Sequence, residues 1–184
     1  MISSLISGIK KKDKVSLSKS ITVVENRTKG YKDILRKTFN LNSNSLKIGI
    51  TGPPGAGKST IVNEIAKIYT KNSKSVGIIC VDPSSPFNGG SILGDRIRLN
   101  DLYSKNVFIR SISTRGELGG LFSSVSDIDT LYSAFDFDVI IYETVGVGQA
   151  EMDIMNYSNT VLLVITPESG DDIQMMKSGL LECA

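Results

Sequence analysis

The sequence predicts an α/β fold with three layers: a mainly parallel sheet covered by helices on both faces and preceded by N-terminal helices. Three observations carry that prediction. Short runs that are apolar on both faces alternate with helical stretches, as strands do in a covered parallel sheet. A Gly/Pro cluster joins the first of these runs to a helix in the form G-x-x-x-x-G-K-[ST]. The charged candidates for chemistry stand just past the ends of the runs, where open α/β sheets bind ligands.

From Leu17 to Leu35 the apolar residues fall at helical spacing: Leu17, Ile21 and Val24, then Tyr31, Ile34 and Leu35. They predict one or two amphipathic helices broken near Gly30. The polar stretch Asn42-Ser43-Asn44-Ser45 is a linker. Residues 1–44 are therefore expected to form an N-terminal helical segment with its linker, and residues 45–184 a P-loop domain. Within the latter, Leu46–Thr51 is a strand that runs into the Gly/Pro cluster. Ser59–Lys71 is a helix with Ile61, Ile65 and Ile68 on one face, and Val76–Val81 is a fully apolar strand. A helix is expected from near Asp95, strands at Val107–Arg110, Val139–Tyr142 and Thr160–Thr166, and helices near Leu121–Phe135 and after Asp171.

Composition narrows the chemistry. The 184 residues suit one domain, and 40% hydrophobic with 22% charged residues is a globular mix, which excludes disorder and fibrous repeats. A net charge of +2 gives no support for a polyanion-binding surface, so no nucleic-acid partner is expected. There is no histidine. That excludes Ser-His-Asp triads, histidine-ligated zinc and imidazole acid–base catalysis, leaving carboxylates, lysine, hydroxyls, backbone amides or a bound metal ion.

Cys80 lies in an apolar run, where a buried free thiol is the default, and Cys183 is far from it in sequence. No disulfide framework is indicated, which points to a reducing compartment. No apolar run approaches the ~18 residues of a membrane span. At the N-terminus the lysines follow the apolar residues, the reverse of a signal peptide. The expected location is the cytoplasm, or the mitochondrial matrix in a eukaryote, since acids are scarce before Glu25.

Gly52-Pro53-Pro54-Gly55-Ala56-Gly57-Lys58-Ser59 fits the phosphate-loop pattern at every fixed position, between a strand and a helix. Glycines let the backbone wrap a phosphate so that successive N–H groups and the helix N-terminus face the anion. Lys58 is suited to neutralising β- and γ-phosphate oxygens, and the Ser59 hydroxyl to ligating Mg²⁺. Asp82 and Glu143 each close a buried strand, where Mg²⁺ or an attacking water needs an anionic partner. The amide of Gly146 is placed to sense a γ-phosphate, as switch segments do. Asp95 has two readings, a Mg²⁺-side carboxylate or the cap of the helix that follows. Arg115 and Lys177 stand in Gly-containing loops and are candidates for reaching phosphate charge, or are solvated surface residues.

Five motifs stand in order: Gly52 through Ser59-Thr60; Asp82-Pro-Ser-Ser-Pro-Phe through Gly89-Gly-Ser-Ile-Leu-Gly-Asp95-Arg96; Arg115-Gly-x-Leu-Gly-Gly120; Glu143-Thr-Val-Gly-Val-Gly-Gln149; and Gly170-Asp-Asp-Ile-Gln174. From about Ser18 to the last residue the chain resembles the methylmalonyl-CoA mutase-associated GTPases, also described as arginine/ornithine transport ATPases or kinases. The resemblance implies a dimer-forming P-loop GTPase that escorts an adenosylcobalamin-dependent acyl-CoA mutase and uses GTP hydrolysis as its timer. It implies GTP or GDP and Mg²⁺ as ligands. Gly52, Pro53, Pro54, Gly55, Ala56, Gly57, Lys58, Ser59, Thr60 and Gly146 would hold the nucleotide. Ser59, Asp82, Asp95 and Glu143 would serve the metal, with Lys58, Glu143 and Gln149 in catalysis. Segments 82–95, 143–151 and 170–177 would be its switches. The cobalamin belongs to the partner.

The chain departs from the family pattern at Glu117, where histidine is usual, and at Leu99, where methionine is usual. The family also continues into a strand bearing Asn-Lys-x-Asp, which reads guanine, and a helical dimerisation arm. Neither is in this sequence, so the sheet is expected to show an unpaired apolar edge beside Thr160–Thr166. Two alternatives to a GTPase stand beside it: a kinase or ATPase linked to arginine/ornithine transport, and a non-catalytic fragment that keeps the fold.

Overall fold

The computed structural model describes residues 2–41, 44–82, 106–113, 120–144 and 156–166. Three helices come first: α1 (Ile2–Lys10), α2 (Lys14–Glu25) and α3 (Tyr31–Thr38). Then follow β1 (Leu46–Thr51), α4 (Lys58–Lys71), β2 (Val76–Asp82), β3 (Val107–Ser113), α5 (Gly120–Phe135), β4 (Val139–Thr144) and β5 (Thr160–Leu163). The strands form one sheet in the order β3-β2-β4-β1-β5, with every pair parallel.

Alternation along the strands builds two cores. On one face Ile48 and Ile50 of β1, Ile78 and Cys80 of β2, and Val139 and Ile141 of β4 meet Val62 and Ala66 of α4. On the other, Ile79, Ile140 and Tyr142 meet α5 and all three N-terminal helices. The result is helix–sheet–helix, as the doubly apolar strands require.

The break near Gly30 separates two helices. Asp13 caps α2 by accepting hydrogen bonds from the N–H groups of Val15 and Ser16 and from the Ser16 hydroxyl. Gly30, at φ +96°, enters α3 in the left-handed region. Helix α1 was not anticipated. Its signal was the spacing of Leu5, Ile6 and Ile9, which are buried.

The strand ends differ instructively from expectation. Strand β3 runs on to Ser113 because it pairs with β2 along its full length, Val76↔Val107 through Asp82↔Ser113. A charge at Arg110 does not stop it, since the guanidinium is paired with Glu25 of α2. Strand β5 stops at Leu163, opposite Thr51, where β1 itself ends. Past it the Val164 N–H donates to the Thr51 carbonyl at 2.8 Å. Among the described residues β5 is one of the two edge strands, opposite β3, with Leu162 exposed.

At the opposite end of the strands Asp138 joins β4 to the start of β2. Its carboxylate accepts from the Ser75 N–H, the Lys74 ammonium and the Ser75 hydroxyl at 2.8–2.9 Å, which together pull its pKa down to about 2. A folded-state pKa below the unfolded value stabilises the fold above the unfolded pKa, and that contribution is lost as pH falls through about 2. The Asp138→Asn variant should therefore be less stable than wild type at neutral pH, with the two curves converging in acid. Chemical denaturation across that range checks this; curves that stay parallel would remove Asp138 from the acid response.

Candidate nucleotide-binding site

The site begins where β1 ends. Gly52 has φ +144° and stands so close to β5 that a Cβ would lie 2.0 Å from the Val164 carbonyl oxygen. Any other residue there is both strained and obstructed. Two prolines stiffen the next step, and the Ala56 N–H closes a turn onto the Pro53 carbonyl at 3.3 Å. Gly57, at φ +88°, occupies the N-cap position of α4 and offers no side chain to cap it. No side chain caps the start of α4, and a helix start that follows a glycine-rich loop is the ordinary place for an anion to sit.

The loop is exposed at Pro54, Gly55 and Gly57, and Thr60 is exposed on α4. Lys58 is the opposite, only 6% exposed. Its ammonium turns back into the loop and donates to the carbonyls of Gly52 (2.8 Å) and Pro53 (2.9 Å). A positive charge is therefore stored inside the loop.

Ser59 points across to β4. Its hydroxyl donates to Glu143 Oε1 at 2.5 Å. Glu143 is itself buried, and alternation along β4 sets it on the α4 side of the sheet. Strand register puts Cys80 directly beside it, and the thiol lies 3.8 Å from Oε2. On the other face of the sheet the Thr144 hydroxyl donates to the Thr51 hydroxyl at 3.1 Å, tying β4 to β1 at the root of the loop. A buried carboxylate with a hydroxyl on one oxygen and a thiol on the other has a fixed orientation, which suits it to directing a metal ion or a water.

The structure thus brings together Gly52, Pro53, Gly57, Lys58, Ser59 and Glu143. Asp82 closes β2 as expected, opposite Ser113, but its side chain is outside the described set. Asp95, Arg115, Gly146, Gln149 and Lys177 also lie outside the described residues, as do most of the segments read as switches and the helices expected near Asp95 and after Asp171. Sequence reasoning missed the place of Cys80 beside Glu143 and the Thr51–Thr144 contact behind the loop. Cys80 is the buried free thiol expected of it, but its place beside Glu143 depends on β2 and β4 being neighbours, which periodicity does not reveal.

The profile of the family described as methylmalonyl-CoA mutase-associated GTPase MeaB matches residues 17–184. The chain belongs to that family. Curated relatives of this MeaB-family chain include a protein of Pyrococcus abyssi named as a GTPase, 48% identical over 185 residues. That alignment covers 100% of this chain and 57% of the relative. GTPase ArgK of Escherichia coli is 36% identical, over 97% of this chain and 56% of its own length. The mouse methylmalonic aciduria type A homolog, mitochondrial, is 32% identical over 98% of this chain and 47% of its own.

Among solved structures, one titled LAO/AO transport system kinase superposes with a TM-score of 0.73 at 24% identity. The match covers 96% of this chain and 53% of that one and supports the fold. The chain spans a little over half the length of the first two relatives. Among the described residues no helix is long and apolar enough to cross a membrane.

Proposed function

We propose that this chain binds GTP with Mg²⁺ and hydrolyses it to GDP, as the nucleotide-driven part of a protein that assists an adenosylcobalamin-dependent acyl-CoA mutase such as methylmalonyl-CoA mutase. The observation that carries the nucleotide reading is the convergence at the end of β1. An anion loop, the Lys58 ammonium, the Ser59 hydroxyl and the Glu143 carboxylate meet there. Family membership supports the mutase as the partner.

Mg²⁺ takes hard oxygen ligands, usually one or two carboxylates completed by phosphate and water. The Ser59 hydroxyl and Glu143 carboxylate fit that chemistry, with Asp82 and Asp95 as the further candidates. The bound metal would neutralise charge on the β- and γ-phosphates. In this reading Lys58 leaves the loop carbonyls for phosphate oxygens, and Glu143, with Gly146 and Gln149, orients the attacking water. A P–O bond forms to that water as the bond bridging the β- and γ-phosphates breaks, giving GDP and inorganic phosphate.

Such chemistry is mostly positioning and charge stabilisation, so the intrinsic rate is slow and a partner that supplies a positive group raises it by ~10³–10⁵. The reading also carries a homodimer in the full-length protein and a cytoplasmic location.

Calorimetric titration with GTP, GDP and ATP in the presence of Mg²⁺ tests it, together with phosphate release with and without methylmalonyl-CoA mutase. Guanine preference and a slow turnover accelerated by the mutase are expected. Equal weak binding of all three nucleotides would overturn the guanine assignment, and a rate indifferent to the mutase would overturn the partner.

A further inference from the structure

The overall charge of +2 conceals a division along the chain. Residues 1–41 hold ten lysines and arginines against three acids, a net +7; the rest hold eleven against sixteen, a net −5. Folding turns this into a surface. Helices α1, α2 and α3 spend their apolar sides on one another and on α5, and nine of their ten cations are exposed. Lys10, Lys11 and Lys12 follow one another at the α1–α2 turn, Lys12 paired with Asp136 at 3.0 Å, and Lys32, Arg36 and Lys37 stand on α3. Two of the three acids have structural work, Asp13 as the cap of α2 and Glu25 as the partner of Arg110. Two large apolar side chains stand out among these charges, Phe39 at 72% and Val15 at 59% exposed.

We propose that this helical face docks an acidic surface on a partner protein. Its charge supplies steering and orientation toward such a surface. Phe39, two residues after Lys37, and Val15, next to Lys14, supply exposed apolar contact beside charged neighbours in the chain, the combination found where an aromatic anchor meets a polar rim. A phosphate backbone offers those two side chains no counterpart, and α1–α3 lie packed against α5 with no helix projecting to enter a groove. A membrane surface fits less well, because inserting helices need a free apolar stripe and the stripes here are buried in the core. The face lies across the sheet from α4, and the proposal does not depend on the nucleotide reading.

Three labelled probes at physiological salt test it: a poly-glutamate peptide, a DNA duplex, and phosphatidylserine–phosphatidylcholine vesicles. The peptide is expected to bind, with affinity that falls as salt rises. Combined Lys32→Gln, Arg36→Gln and Lys37→Gln substitutions should weaken it by about tenfold or more. An equal neutralisation of Lys67, Lys71 and Lys74, in and after α4, should leave it unchanged. Circular dichroism checks α3, and a Lys10→Gln, Lys11→Gln pair gives the same reading from another helix. Tighter binding of the duplex or the vesicles than of the peptide would overturn the choice of partner. No peptide binding, or equal loss in both sets of variants, would overturn the surface.

Discussion

Replacing Lys58 with alanine is expected to raise the dissociation constant for a Mg²⁺-bound triphosphate by about 10²–10³-fold, the scale of removing one member of a buried charged contact. The magnitude follows from where the ammonium sits. It is almost fully enclosed and already held by the Gly52 and Pro53 carbonyls, so it enters the complex with little ordering left to lose. Alanine removes the charge and also leaves two carbonyls without that donor. Arginine is no conservative rescue, because a planar fork does not fit the pocket of a compact ammonium. Calorimetry against GTP, GDP and ATP, with a thermal melt of the variant beside wild type, separates binding from folding. Unchanged affinity in a folded variant would displace the anion site from this loop.

Glu143→Gln should act on turnover and largely spare binding. Glutamine keeps the length and an acceptor oxygen for the Ser59 hydroxyl, so the β4–α4 contact at 2.5 Å has a substitute. It loses the negative charge that would organise metal or water, and a positioned carboxylate in such a role is worth about 10²–10⁴ in rate. Single-turnover phosphate release should fall on that scale while triphosphate affinity stays within a few-fold. Wild-type turnover in the variant would leave Glu143 as a strand-end acid that buttresses Ser59. A parallel collapse of affinity would place its main role in binding.

Much of this site was legible before any coordinates, because phosphate loops are written locally. Gly52 and Gly57 need positive φ, Lys58 and Ser59 follow in fixed register, and one strand and one helix suffice to orient them. Glu143 was legible for a similar reason, as a carboxylate ending a wholly buried strand. The contacts that brace it were not. Cys80 meets Glu143 only because the sheet order sets β4 beside β2, and that order is fixed by crossovers far apart in sequence.

The same limit explains the elements that were misjudged. Arg110 looked like the end of a strand until Glu25, eighty-five residues away, proved to be its partner. Thr160–Thr166 looked longer than it is because nothing local says that β1 runs out at Thr51. Charge shows the point in another way: a balance of +2 is a true total and a poor guide, since its opposite contributions occupy different parts of the chain.

The close approach of Gly52 to the Val164 carbonyl gives the phosphate loop a one-sided stop. Close-packed groups cannot be compressed further, so the base of the loop is barred from swinging toward β5. An entering anion would therefore meet a wall behind the first glycine, and its pull would be taken up farther along, at Gly55 and Gly57, where a side chain would find open space. The same wall works in reverse. A displacement of β5 would be transmitted by direct contact to the loop that follows its neighbour β1, so the sheet edge would bear on the loop.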